Sequence, residues 1–454
     1  MRRFTAAAVL LAFACRATAD DKEPVYQGKP LSAWVEQLSD RSATARQEAA
    51  EALSKIEPSA KSALGPLIAA LGDTDGVVRD AAAVALASFR KDAVPPLVAA
   101  LKAHDPAVRR GAASALSFIG ADAHDAVGPL IAALKEDDDP DVRERVAYAL
   151  GSFGPAAKDA VESLAAAAVG KDADLHGPAL MALGGIGKPA VPALVRLLQK
   201  KALDVRQTAP LALALIGRGA KEAVGPLIAL AKDDDVEVRF GAVSALGAIA
   251  SDPKISVPTL IAALNDMKTK IRAQAAESLG RFGGDAADAV PPLIDALKDK
   301  NKDVNRAAAD ALGSIGPSAK GAVPTLIAAL TEKDAVLRSK AAQALGGVGP
   351  DAKAAVPALA AALKDQGRED VAANAAHALG KIGPEAKDAV HALIAAVKDP
   401  LSPIREAAVT ALGEIGPNAK DAVPVLRETL KDDDMPVRAA ASTALQRIER
   451  GTSK

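Results

Sequence analysis

Few side chains in this sequence could carry out chemistry. Five histidines, His104, His124, His176, His377 and His391, could move protons or hold a transition metal. They stand far apart, and none belongs to an H-E-x-x-H pair that would place two imidazoles on one helix face. Cys15 is the single thiol and permits no internal disulfide. The runs Asp137-Asp138-Asp139, Asp233-Asp234-Asp235 and Asp432-Asp433-Asp434 could gather oxygens around a hard cation such as Ca²⁺. The calcium-loop pattern fails, because Val142 stands where the sharp turn needs Gly and Tyr148 where the chelating Glu belongs. No G-x-S-x-G nucleophile turn or G-x-x-x-x-G-K phosphate loop occurs, and Gly184-Gly185-Ile186-Gly187-Lys188 reads as a helix stop before Pro189. A formal charge of −1 and an aromatic content of 2% give neither a phosphate-binding surface nor a base-stacking platform, so no nucleic-acid partner is expected. No catalytic, cofactor or metal residue is expected from these patterns.

The elements behind these residues are small helices. Of 454 residues 50% are hydrophobic, yet the rings number only 7 Phe, 2 Tyr and 1 Trp. Length alone suggests roughly three domains, but a core built on Ala, Leu, Val and Ile suits thin helices packed closely. The sequence repeats itself from end to end. A segment of the form A-V-P-x-L-I-x-A-L-K-D is followed by a polar turn and then by V-R-x-x-A-A-x-A-L-G-x-I-G. The residue after the leading Val falls at Arg46, Arg79, Arg109, Arg143, His176, Arg206, Arg239, Arg272, Asn305, Arg338, Ala372, Arg405 and Arg438. These markers define repeats 1 to 13.

Each repeat predicts two helices. Val323, Leu326, Ile327 and Leu330 fall at i, i+3, i+4 and i+7, one apolar stripe. Pro in the first turn marks the start, as in Asp421-Ala422-Val423-Pro424. The second helix buries positions 1, 5, 8, 9 and 12, such as Val437, Ala441, Ala444, Leu445 and Ile448, and stops at Gly-Pro, as at Gly316-Pro317 and Gly349-Pro350. Phe89, Phe153 and Phe282 occupy the consensus Ile position and are expected in the core. One such pair cannot bury its own face, so neighbours must stack.

The pattern resembles HEAT repeats, and V-R-x-x-A-A-x-A-L-G-x-I-G is similar to the subtype found in phycobilisome lyases. The resemblance covers about residues 31–449 and implies an all-α, right-handed α-solenoid of about thirteen two-helix repeats. HEAT repeats commonly carry Asp six residues before the Arg, forming a ladder between neighbours. Asp40/Arg46, Asp73/Arg79, Asp137/Arg143, Asp233/Arg239, Asp266/Arg272, Asp399/Arg405 and Asp432/Arg438 match it. Asn305 after Asp299, Ala372 after Gln366 and His176 after Gly170 depart from it, and the ladder is expected to break there. The aspartate runs lie at the turns before second helices, where carboxylates suit the positive helix end and the ladder cation. Deoxyhypusine hydroxylase, a HEAT enzyme, binds iron through His-Glu pairs; no His here precedes Glu, so that activity does not carry over.

The ends differ from the repeats. Arg2 and Arg3, the apolar run Ala6 to Ala14 and Ala17-Thr18-Ala19 read as a signal peptide, 1–19, too short to span a bilayer. Cleavage after Ala19 takes Lys+Arg from 56 to 53 against 57 Asp+Glu, a mature charge of −4, and removes Cys15. Lipidation of Cys15 fits less well, since Ala12-Phe13-Ala14 departs from the lipoprotein pattern. The protein is therefore expected to be periplasmic or extracellular, without a membrane span. Residues 20–30 read as a linker and cap, with Trp34 covering the first helix pair, and 450–454 as a polar tail.

Function is expected on the exposed face of the second helices. Positions 3, 4, 7 and 11 share it, and there Val84, Phe118, Tyr148, Met181, Leu211, Leu215 and Phe240 place apolar side chains in repeats 2 to 7. Repeats 8 to 13 place Glu277, Arg281, Lys340, Lys381 and Glu414 there instead. One reading is a groove for a protein or peptide partner. The other is that Pro178 and Pro210 disturb their helices and turn Met181 and Leu211 into the core. The expected function is a monomeric, exported, non-enzymatic scaffold. The alternative is a HEAT-type lyase, isomerase or hydroxylase acting on a bound cofactor or modified protein.

Overall fold

The structure, a computed structural model, describes residues 23–56, 60–365 and 369–452; the leader 1–19 with Cys15, and Gln366, lie outside the described residues. Two compact bodies divide the chain, Met1–Ala133 with Asp137–Ala149 and Leu134–Glu136 with Leu150–Lys454. Both are helical, and the fold class is an all-α solenoid.

In the N-terminal body a hairpin of β1 (Val25–Tyr26) and β2 (Lys29–Pro30) turns through Gln27 and Gly28, both at positive φ. Helices then alternate short and long: α1 (Leu31–Gln37) and α2 (Ala43–Leu53), α3 (Leu64–Ala70) and α4 (Gly76–Ser88), α5 (Val94–Ala100) and α6 (Pro106–Ile119), α7 (Val127–Glu136) and α8 (Pro140–Ser152). Trp34 on α1 is buried, donates its indole N–H to the Tyr26 carbonyl at 3.1 Å and lies 4.4 Å beneath the Lys29 ammonium.

In the C-terminal body the first helices are α9 (Val161–Ala167), α11 (Val191–Leu197), α13 (Val224–Leu230), α15 (Pro253–Ala263), α17 (Val290–Ala296), α19 (Val323–Ala329), α21 (Val356–Ala362), α23 (Val390–Ala396) and α25 (Val423–Thr429). The second helices are α10 (His176–Ile186), α12 (Leu203–Ile216), α14 (Val236–Ile249), α16 (Thr269–Gly280), α18 (Lys302–Ile315), α20 (Ala335–Val348), α22 (Glu369–Ile382), α24 (Ser402–Ile415) and α26 (Met435–Thr452). The last of these runs three residues into the segment read as a tail.

The repeat dictates these boundaries. Several second helices begin where an Asp or Asn side chain accepts the free amides of the first turn, as Asp75 does from Val77 at 2.8 Å and Asn301 from Asp303 at 2.8 Å, whereas α10, α12, α16 and α24 start without a side-chain cap. They end at a residue that leaves helical space. Gly316 stands there at φ +75°, and the chain continues as a tight 3-10 stretch into the next first helix.

Within each body a second helix packs on the second helix of the following repeat, as α2 does on α4 and α18 on α20. Positions 1, 5, 8, 9 and 12 are buried as expected, for example Leu337, Ala341, Ala344, Leu345 and Val348. Position 6 is buried too, as at Ala309 and Ala342, because a second helix has a neighbour on either side and its apolar stripe is correspondingly wide. Each fully buried Leu, such as Leu326 or Leu345, contributes about 2 kcal/mol. Phe89, Phe153 and Phe282 are buried with them.

Position 10 explains the repeated glycine. A Cβ on Gly313 would lie 2.8 Å from the Ala344 Cα, and one on Gly413 the same distance from the Ala444 Cα. Helix backbones here touch through Gly of one repeat and a small residue of the next. Ser278 fills that second place in repeat 8, fully buried, and donates to the Val243 carbonyl at 3.0 Å.

Candidate functional site

The first turn of most second helices carries the ladder cation, and most of the arginines there act in two directions. One η nitrogen turns back to carbonyls of its own repeat, and the rest of the guanidinium forks onto a carboxylate of the next. In the N-terminal body Arg46 donates to the Asp40 carbonyl at 3.0 Å and grips Asp73 at 2.6 and 2.7 Å. Arg109 holds Asp137 by two bonds of 2.8 Å and Asp138 by a third. In the C-terminal body Arg239–Asp266, Arg272–Asp299, Arg338–Asp365 and Arg405–Asp432 repeat the fork, and Arg206 meets Asp233. The pairs six residues apart, Asp73/Arg79, Asp137/Arg143, Asp233/Arg239, Asp266/Arg272, Asp399/Arg405 and Asp432/Arg438, meet through the aspartate's backbone carbonyl. Its carboxylate serves the repeat before, except that of Asp399, which faces Ala372 in the sequence and accepts from the Leu401 amide of its own turn. Arg79 makes only the backward bonds, because Ala103 takes the ladder position in repeat 3.

Two expected breaks are corrected. In repeat 9 the charge moves one residue along, and Arg306 forks onto Asp334 at 2.7 and 2.8 Å while Asn305 reaches the Asp299 carbonyl. In repeat 5 His176 takes both roles: Nδ1 lies 2.5 Å from Asp204 and Nε2 2.9 Å from the Gly170 carbonyl. In each case a neighbouring side chain has the reach to restore the link. At repeat 11, where Ala372 can make no such bond, the turn residue Gln366 lies outside the described residues.

These bonds set the charge states. Arg46 holds the Asp73 carboxyl below the usual carboxylate range, helped by the Asp75 amide and opposed by burial. Burial pushes Asp137 up, but the Arg109 hydrogen bond, the Asp139 amide and the Arg109 charge outweigh it and keep that carboxyl low. The aspartate runs are thus committed to structure: Asp137 and Asp138 serve Arg109, and Asp139 caps the Val142 amide at 3.0 Å. Among the described residues no group of three His, Cys, Asp or Glu side chains is placed to hold a metal ion. Among them also, no helix is long and apolar enough to cross a membrane.

The apolar positions remain open to solvent. In the N-terminal body Val84 on α4, Phe118 on α6 and Tyr148 on α8 are exposed, Phe118 by 59%. In the C-terminal body Met181 on α10 and Leu211 and Leu215 on α12 are exposed, Leu215 by 61%. Phe240 on α14 is half-buried, with the Lys270 ammonium 5.3 Å from its ring centre. The prolines do not turn these residues inward. Pro178 lies in the first turn of α10, where an amide has no helical acceptor, and α12 runs unbroken through Pro210, whose ring packs against the Gly241 backbone.

A polar cleft of about 360 Å³ in the N-terminal body had no motif to announce it. Arg79 and Asp80 of α4, Arg110 of α6 and Asp141, Glu144 and Arg145 of α8 line it, and Arg110 pairs with Asp141 at 2.8 Å. Charges at positions 3 and 4 of consecutive repeats are the signal that could have found it.

Comparison with known proteins agrees with this architecture. The pattern of the family described as HEAT repeats matches residues 31–117, 64–151, 204–258, 257–346, 323–411 and 356–446. No curated protein matches the chain. Among solved structures, importin beta in an ammonium sulfate condition aligns with a TM-score of 0.64 at 16% identity, over 93% of this chain and 68% of that one. Kap95p, from a structure describing its binding to RanGDP, aligns with 0.62 at 15% identity, over 94% of this chain and 68% of that one. Kap121p bound to Nup53p aligns with 0.50 at 16% identity, and this chain spans 54% of its length. At such identities the likeness is one of fold.

Proposed function

Because the chain belongs to the HEAT-repeat family, we propose that it is a non-enzymatic scaffold that holds a protein or peptide on the exposed face of its second helices. One observation carries this: apolar and aromatic side chains stand exposed at positions 7 and 11 of the second helices, Val84, Phe118 and Tyr148 in one body and Met181, Leu211 and Leu215 in the other. Exposed apolar groups collected on one face are what partner surfaces are built from. HEAT solenoids commonly bind proteins, and of the structural neighbours Kap95p binds RanGDP and Kap121p binds Nup53p. The ladder occupies many of the charged side chains of the turns, and the exposed apolar face is the surface proposed for recognition. The repeat subtype resembles that of the phycobilisome lyases in sequence pattern alone.

The scaffold is proposed to act after export, as a monomer, with the mature chain starting at Asp20. N-terminal sequencing of the secreted or periplasmic protein tests the cleavage site, and light scattering tests the monomer. Affinity capture from that fraction tests binding. Phe118→Ser with Tyr148→Ala, and separately Leu211→Ala with Leu215→Ser, alter exposed positions and should leave the helical signal intact while reducing capture at least tenfold. Undiminished capture by both folded variants removes the proposal, and purified protein carrying a chromophore or iron replaces it with an enzyme.

A further inference from the structure

The link between repeats 5 and 6 is rebuilt from different residues than its neighbours. The arginine position holds His176, the turn position of repeat 6 holds Lys200, and the acceptor is Asp204 in the first turn of α12. Both ring nitrogens are engaged, Nδ1 with the Asp204 carboxylate at 2.5 Å and Nε2 with the Gly170 carbonyl at 2.9 Å. A carboxylate and a carbonyl oxygen only accept, so both nitrogens must donate, and only the imidazolium carries two N–H groups. A neutral ring would turn a lone pair toward one of the two oxygens.

We propose that this joint is a proton-operated latch, closed while His176 is an imidazolium and loosened between α10 and α12 when the ring loses its proton. Every other ion pair between successive turns of the ladder, among the described residues, is made by arginine, which keeps its charge at any pH the protein survives, so this joint alone among them depends on a group that can lose its proton. The side chain is largely buried, which ties its protonation to the packing of the joint. The charges bearing on the ring are Asp204 from α12 and Asp172 from its own loop; Glu162 of α9 is engaged by Arg196 of α11 at 2.7 Å. Burial pushes the ring down, and the Asp204 bond, the Gly170 bond and the two acidic charges outweigh it, leaving the pKa above the ordinary histidine value. A raised pKa means the stabilisation is complete below about pH 6.5 and is lost as pH rises through the higher folded value. The latch joins the helices that carry Met181 and Leu211, yet it stands whether or not that face takes a partner.

The test uses the full chain with labelled histidine. The His176 ring resonances, assigned by their absence in His176→Gln, should titrate above about 6.5. Hydrogen exchange of α10 and α12, corrected for its intrinsic pH dependence, should show an opening equilibrium that rises across the same pH range. The expected rise is tenfold for each unit of that displacement. In His176→Arg the opening should be independent of pH between 6 and 9, and in His176→Gln it should already be high at pH 6. A His176 titration at or below 6.5 overturns the proposal, with or without folded variants. So does an unchanged pH-dependent opening in His176→Arg.

Discussion

Arg109 reaches forward to Asp137 through two bonds of 2.8 Å, while its remaining η nitrogen reaches back to the carbonyls of Ala103 and His104. One side chain thus ties the turns of successive repeats together, and it is nearly buried while doing so. Replacing it removes charge-assisted bonds and leaves a desolvated carboxylate. Arg109→Ala should therefore lose about 2 to 3 kcal/mol in urea unfolding. Arg110→Ala, one residue on and half exposed, should lose well under 1 kcal/mol.

The same forks predict how acid acts. Asp73, Asp137, Asp266, Asp299 and Asp432 all have carboxyls held below their ordinary values. A lowered carboxyl stabilises the folded state above its unfolded pKa, near 3.9, and the contribution disappears as pH falls through the folded value. Urea midpoints should stay level from about pH 6.5 to about 5 and drop steeply below about 4. High salt should barely change the pH 7 midpoint, because the forks are sheltered from solvent. A gradual decline beginning above pH 5 would contradict the dominance of the ladder.

Much of this was legible in the sequence. The repeat period gave the helix pairs, the consensus Ile position marked Phe89, Phe153 and Phe282 as core, and position 7 marked Val84 and Tyr148 as exposed, while Pro210 left Leu211 open between the exposed face and the core. The helical period determines which face a residue occupies. Three-dimensional reach decided the remainder. The Asp-Arg spacing of six residues pointed to a ladder between neighbours, and reach decided which atoms make it: the guanidinium forks onto the next turn's carboxylate and turns back to its own turn's carbonyl. His176 with Asp204 and Arg306 with Asp334 restore links that a fixed-position motif counts as broken. Burial at Ala342 depends on the neighbour that position 6 meets, and a single repeat does not contain that neighbour.

Glycine tolerance should follow the stacking. A methyl on Gly347 would run into the Gly313 carbonyl oxygen, and one on Gly313 into the Ala344 backbone. Around Gly284 a methyl would meet nothing within 4 Å. Gly313→Ala and Gly347→Ala should each lose about 1 to 3 kcal/mol by forcing α18 and α20 apart. Gly284→Ala should be neutral or slightly stabilising. Equal midpoints for all three variants would show that the helices do not depend on this close approach.

The end of α4 holds stored strain that can be removed. Where most repeats place Gly after the last helical residue, repeat 2 places Arg90, at φ +49°, a region that costs a residue with a Cβ about 1 to 2 kcal/mol. The Arg90 side chain offers little in return: its contact with Asp122 is 3.7 Å long and solvent-exposed, so it contributes almost nothing. Glycine at this position loses more backbone freedom on folding, which offsets part of the relief. Arg90→Gly should therefore raise stability by about 0.5 to 1 kcal/mol, a shift in urea midpoint at unchanged slope. Arg90→Ala keeps the Cβ and so the strain, and should leave the midpoint where it is. If alanine stabilised as much as glycine, the side chain rather than the backbone would be the source of the cost.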